Sequence, residues 1–168
     1  YLVIWQSTRA TELPQVYSTL LNQSGARVTI TSDPLLPAAV AQTRPAIAYG
    51  AGVYVVAWAA GASGSEDLQL IRVSATTGLP IDTVPRALVT GTGAQVEPSI
   101  AFDGSQFLIA YTDQSGASKD VRAVRFDPAS LMVTANWSVA VSASQEETPS
   151  VAFDGTHWLI AYATSDNA

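Results

Sequence analysis

A fourteen-residue phrase is written three times in this chain. Pro45 opens PAIAYGAGVYVVAW, Pro98 opens PSIAFDGSQFLIAY and Pro149 opens PSVAFDGTHWLIAY. The prolines are 53 and 51 residues apart. The N-terminal YLVIW matches the tail of the phrase, so Trp5, Trp58, Tyr111 and Tyr162 fall in register. A period near fifty residues means that one supersecondary unit recurs and buries its faces against its own neighbours. This repeat constrains the fold before composition does.

Each unit resolves into four strand signals, a to d. Strand a follows the proline, as in Ser99 to Phe102. A tight turn comes next: Asp103-Gly104, Asp154-Gly155 or Gly50-Ala51-Gly52. Asp-Gly between apolar runs signals a hairpin, because both residues tolerate positive φ. Strand b is the apolar run Tyr54 to Trp58, Phe107 to Tyr111 or Trp158 to Tyr162, with Tyr1 to Trp5 as an orphan copy. Strand c is expected at Val16 to Leu21, Leu68 to Val73 and Val121 to Phe126. Strand d is expected near Pro37 to Ala41, Arg86 to Thr90 and Trp137 to Ser142. No stretch holds an apolar period of 3.6 residues, so helix is not expected. Four antiparallel strands per unit make the chain all-β, a β-propeller of four-stranded blades. Residues 1–168 form a single domain with blade boundaries near 45, 98 and 149. In order the chain supplies bcd, abcd, abcd and ab, thirteen strands in all. Propellers typically need four to eight blades. Further blades are therefore expected from a longer chain or from homo-oligomerisation, and the chain reads as an excerpt.

The phrase resembles the bacterial exported β-propeller repeats that carry P-x-[IV]-A-[FY]-D-G-x-x-[FYW]-[LV]-[IV]-A-[WY]. The resemblance spans the chain and implies the fold. It leaves function open, because such repeats occur in adhesins, lectins, lipoproteins and large surface proteins. The chain departs from the sialidase Asp-box, which separates Asp from Gly by one residue where Asp154 and Gly155 are adjacent. It also lacks the WD40 and kelch signatures.

Hydrophobic residues are 48% of the chain and charged residues 13%, enough apolar content for a large core. No run approaches a membrane span. The net charge is −6, with one lysine, Lys119, and no basic cluster, which argues against nucleic-acid binding. The absence of cysteine removes disulfides, thiolate metal sites and cysteine nucleophiles. No cofactor is expected, with calcium the one metal left open. Low lysine with abundant Ala, Ser, Thr and Gly points to a secreted or cell-surface bacterial protein.

Antiparallel blades put the a–b and c–d turns on one face and the b–c and d–a loops on the other. Nine acids fall on the second face: Glu12, Glu66, Asp67, Glu97, Asp113, Asp120, Glu146, Glu147 and Asp166. Asp33, Asp82, Asp103, Asp127 and Asp154 are assigned to the first. Arg44, Glu97 and Thr148 precede the three prolines, at the start of the strand nearest the channel. Residues that vary where the scaffold repeats are ligand candidates, and the candidate set is Arg44, Glu97, Asp113, Glu147 and Thr148. An Arg44–Glu97 ion pair between blades is the structural alternative. The b-strand aromatics are expected to pack in the core. His157, the single histidine, has no clustered partners for zinc or catalysis. The first functional reading is a non-enzymatic binding or scaffold module recognising a glycan or protein through its loops. A second is a propeller-fold glycan hydrolase of sialidase or glycosidase type, with Glu97 and Glu147 as its carboxylates. A third is a structural segment of a surface assembly.

Overall fold

The computed structural model describes residues 1–10, 12–28 and 33–165. Asp166, one of the acids assigned above, lies outside them. The described residues form twelve strands and no helix: β1 (Leu2–Ser7), β2 (Gln15–Leu20), β3 (Gln42–Gly50), β4 (Val53–Ala60), β5 (Asp67–Ser74), β6 (Arg86–Val89), β7 (Gln95–Phe102), β8 (Phe107–Asp113), β9 (Asp120–Phe126), β10 (Val133–Ala140), β11 (Gln145–Phe153) and β12 (Trp158–Ser165). They pair only with chain neighbours, all antiparallel, in sheets β1-β2, β3-β4-β5-β6, β7-β8-β9-β10 and β11-β12. The protein is an all-β propeller of four-stranded blades, two complete and two partial.

Strands b explain the apolar runs. On β4, Val55, Ala57 and Ala59 face the third sheet, while Val56, Trp58 and Ala60 face the first. On β8, Phe107, Ile109 and Tyr111 face the second sheet, and Leu108 and Ala110 face the fourth. A strand covered on both sides keeps no polar face, so period-two alternation disappears. Where a neighbour is missing among the described residues, the alternation returns. Trp58 and Tyr111 are 1% and 5% exposed; Trp5, on a face with no described neighbour, is 40% exposed, and Tyr162, whose face meets the third sheet but whose strand has no described c strand beside it, is 43% exposed. The expectation of four buried aromatics thus holds for two. Strands a lie innermost: β3 packs on β7 and β7 on β11. β11 pairs with β12 and not with β1, so it does not complete the first sheet.

The expected d strand at Pro37 to Ala41 does not form, which leaves the first sheet with two strands. Pro34 and Pro37 bring no N–H to a ladder. Single bonds serve strand c instead. Leu35 N donates to Val16 O at 2.7 Å, and Gln42 Oε1 accepts from Val16 N at 3.1 Å. Ala38 N donates to Gln15 Oε1 at 2.9 Å. Asp33 consequently lines a cavity with Arg9, Glu12 and Gln15 at the b–c end, not the opposite face to which its sequence position assigned it.

Candidate functional site

Strand a starts three residues before Pro45 and Pro98 and four before Pro149, earlier than the sequence suggests. The prolines lie inside the strand, at a bulge. Thr43 pairs with Ala59 and Ala46 with Ala57, so Arg44 and Pro45 together oppose Trp58. In the same way Glu97 and Pro98 oppose Tyr111, and Thr148 and Pro149 oppose Tyr162. Proline cannot donate to a ladder, and a bulge is where a strand accommodates it. The residue before it takes φ of +52° at Arg44, +56° at Glu97 and +52° at Thr148. A non-glycine residue there costs on the order of 1–3 kcal/mol, and such strain concentrates at ligand sites. Every strand next to the channel therefore carries one strained residue, and the three residues differ in chemistry.

Glu97 is the best-placed of these. Its Oε2 accepts from Thr112 Oγ1 at 2.9 Å and from Thr148 N at 3.1 Å, which ties the third sheet to the fourth. Its Oε1 makes no hydrogen bond among the described residues. Gln6, at the repeat position of Thr112, has the matching role at the seam between the first and second sheets: its Oε1 accepts from Arg44 N at 3.0 Å. The Arg44 guanidinium is exposed and has no ion pair or hydrogen bond among the described residues, so the expected Arg44–Glu97 pair is not formed.

The remaining candidates go elsewhere. Glu147 is ion-paired with Lys119 of the b–c loop. Asp113 turns toward the second sheet, where its Oδ2 meets Arg122 Nε at 2.7 Å and its Oδ1 accepts from Gln95 Nε2 at 3.4 Å. The site thus brings Glu97 and Thr148 together, sets Glu147 beside them in the chain, and separates Asp113 from Glu97. Among the described residues no group of three or more His, Cys, Asp or Glu side chains is placed to hold a metal ion. Among the described residues no helix is long and apolar enough to cross a membrane.

Sequence reasoning missed a polar seam behind this site. Gln42, Gln95 and Glu146 each stand three residues before a proline, and all are buried. Their backbone N–H groups donate to Pro14 O, Glu66 O and Lys119 O, the residues that precede strand c in the adjoining sheet. The signal was present as Gln-x-x-Pro at Gln42 and Gln95. Glu146 interrupts it, and a phrase read from the proline onward omits it.

On the opposite face the acids serve the turns. Asp82 is held below the usual carboxylate range by its hydrogen bond from Arg72, against the opposing effect of burial. Burial alone would raise Asp103. Hydrogen bonds from Gln106 N, Ser105 N and Ser105 Oγ, with the Arg125 charge, bring it down. His157 N and Thr156 N lower Asp154 in the same way.

No family model matches the chain, and no curated protein matches it in sequence. Solved structures similar in fold include two glycoside-cleaving enzymes. An α-L-arabinofuranosidase from Lactobacillus brevis aligns over 97% of this chain and 61% of its own, at 11% identity and a TM-score of 0.62. A thermostable family-43 glycoside hydrolase aligns over the same shares, at 11% identity and a TM-score of 0.64. The chain spans 61% of the length of each. At that identity the likeness is one of architecture: the chain shares the propeller of these glycoside hydrolases.

Proposed function

We propose that this propeller acts on glycans, and that glycoside hydrolysis at the mouth formed by the strand-a bulges is the reaction to test first. One observation carries the reading: Glu97 is fixed through a single carboxylate oxygen at a strained position beside the channel, and its other oxygen has no partner among the described residues. That arrangement suits a nucleophile or base. Glu147 is the second carboxylate to test, since glycosidases use a pair flanking the scissile bond. The fold neighbours, an arabinofuranosidase and a glycoside hydrolase, support this reading over the non-enzymatic module.

The binding module remains the second reading, favoured by a specific observation. Glu147 is engaged by Lys119, Asp113 by Arg122 and Glu97 by Thr112 and Thr148. A general acid needs a carboxyl kept protonated by its surroundings, and ion pairs work against that. Release of nitrophenol from aryl glycosides decides between the two, starting with the α-L-arabinofuranoside. The hydrolase reading expects turnover that falls by about 10²–10⁴ in Glu97→Gln. No turnover, with polysaccharide retention lost in Arg44→Ala, selects binding. Neither activity nor retention removes both readings. As part of the same proposal we place the protein outside the cell or at its surface, where glycan polymers are met. Further blades, from more chain or a second copy, would cover the open edges of β1 and β12.

A further inference from the structure

We infer that the seam between the second and third sheets holds a subsite for a single neutral sugar ring, with Tyr111 at its centre. This rests on the glycan reading above. Two cavities of about 380 and 250 Å³ adjoin there, and Thr90, Tyr111 and Arg122 line both. Gln95 and Asp113 line the smaller. Strand geometry explains the cluster. Asp113 lies two residues beyond Tyr111 on β8 and so shares its face, and Asp113 pairs across the sheet with Gln95 while Tyr111 pairs with Arg122.

Three polar groups in this cluster lack a hydrogen bond among the described residues: the Tyr111 hydroxyl, Gln95 Oε1 and Arg122 Nε, the last of which approaches Asp113 as an ion pair only. Tyr111 is 5% exposed, yet its hydroxyl makes no hydrogen bond among the described residues. Gln95 Oε1 is buried without a partner, because Nε2 is committed to Thr92 O and Asp113 Oδ1. Its counterpart Gln42 has no such deficit, since its oxygen takes the Val16 N–H that a sheet without a d strand leaves open. In the second sheet Leu68, at the equivalent of Val16, pairs with Val89 of the d strand, so Gln95 finds no such donor. At the other seam Trp58 fills the Tyr111 position and is 1% exposed. Trp58 Nε1 is likewise buried without a partner among the described residues, so what distinguishes the third sheet is the room that the smaller Tyr111 side chain leaves beside the two cavities.

The occupant follows from the charges and the volume. Arg122 is neutralised by Asp113 at 2.7 Å, which disfavours a net anion or cation. The hydroxyl of Tyr111, the Arg122 donors and the Asp113 acceptor call for a ligand that both donates and accepts, as sugar hydroxyls do. Drug-sized ligands occupy about 300–1,000 Å³, so the smaller cavity takes one ring and the larger the adjoining residue or solvent.

The test uses D-xylose, L-arabinose and D-galactose as separate probes, following the Arg122 Nε–H and Gln95 side-chain amide resonances by nitrogen-15 NMR. A saturable shift is expected with at least one sugar. Tyr111→Phe should weaken it about three- to tenfold, the worth of one neutral hydrogen bond. Tyr111→Trp, which copies the Trp58 seam, should abolish it with the thermal midpoint retained. Unchanged affinity in both variants, or only ordered water in the cavity of sugar-soaked crystals, overturns the subsite. Aryl-glycoside turnover or polysaccharide retention that survives Tyr111→Trp leaves the channel-mouth reading intact and removes only this inference.

Discussion

Glu146 puts a buried carboxylate where the other seams carry a neutral amide. It occupies the buried position that Gln42 and Gln95 fill elsewhere, accepts a hydrogen bond from Ser142 Oγ through Oε1, and leaves Oε2 without a partner. A buried polar oxygen with no donor costs about 1–3 kcal/mol. Glu146→Gln restores the residue type of the other seams and should raise stability by about 1 kcal/mol, a rise of roughly 2–4 °C in thermal midpoint for a chain of this size. Gly50 is the opposite case. A Cβ there would sit 2.3 Å from the Phe102 ring of the next sheet. Gly50→Ala should therefore destabilise by about 1–3 kcal/mol in chemical denaturation, through overpacking at the seam. Neither position is legible from its own residue type. Gln and Glu look like surface residues in a sequence, and Gly50 looks like part of a turn.

At the scale of the element, the bulge in strand a is the device that sets the channel wall. The proline removes a ladder donor, and the residue before it absorbs the bend at positive φ. Thr148 bears this worst, because a β-branched side chain crowds the left-handed region. Thr148→Gly should gain about 0.5–1 kcal/mol, strain relief partly offset by the greater freedom of glycine in the unfolded chain. The Thr148 N–H that donates to the Glu97 carboxylate is a backbone group and should keep its bond, so amide exchange at Thr148 should remain slow while the denaturation midpoint rises. The hairpins were legible because Asp103-Gly104 and Asp154-Gly155 carry turn chemistry, and Asp103 and Asp154 do accept from N–H groups of their own turns. Strand d was poorly legible. β6 has only four residues and an exposed rim, so burial imposes little pattern on it, and Pro37 to Ala41 has none.

For the whole molecule, the two faces differ in how their acids are used. Asp82, Asp103, Asp127 and Asp154 are all held below the ordinary carboxylate value, by hydrogen bonds and neighbouring arginines. Their folded values lie below the unfolded ones, so the unfolded chain binds more protons in acid. Their contribution is complete above about pH 4 and is lost as the pH falls through the depressed folded values. Denaturation midpoints should drop progressively in that acid window, and Asp82→Asn should flatten the drop and lower stability near neutrality. Folding itself was written in the chain. The fifty-residue period, the alternation lost in β4 and β8 and the Asp-Gly turns are local or periodic, and a stack of like sheets follows from them because each sheet can bury its faces only against its own kind. Which side chains meet was settled by packing across seams. The partner of Glu97 lies fifteen and fifty-one residues away, at Thr112 and Thr148. Arg44 and Glu97 share a repeat position yet do not pair, and Asp113 turns its carboxylate from the channel to Arg122. Such contacts depend on sheet twist and bulge placement between separate units, quantities that a repeated phrase specifies equally for every copy and therefore cannot distinguish.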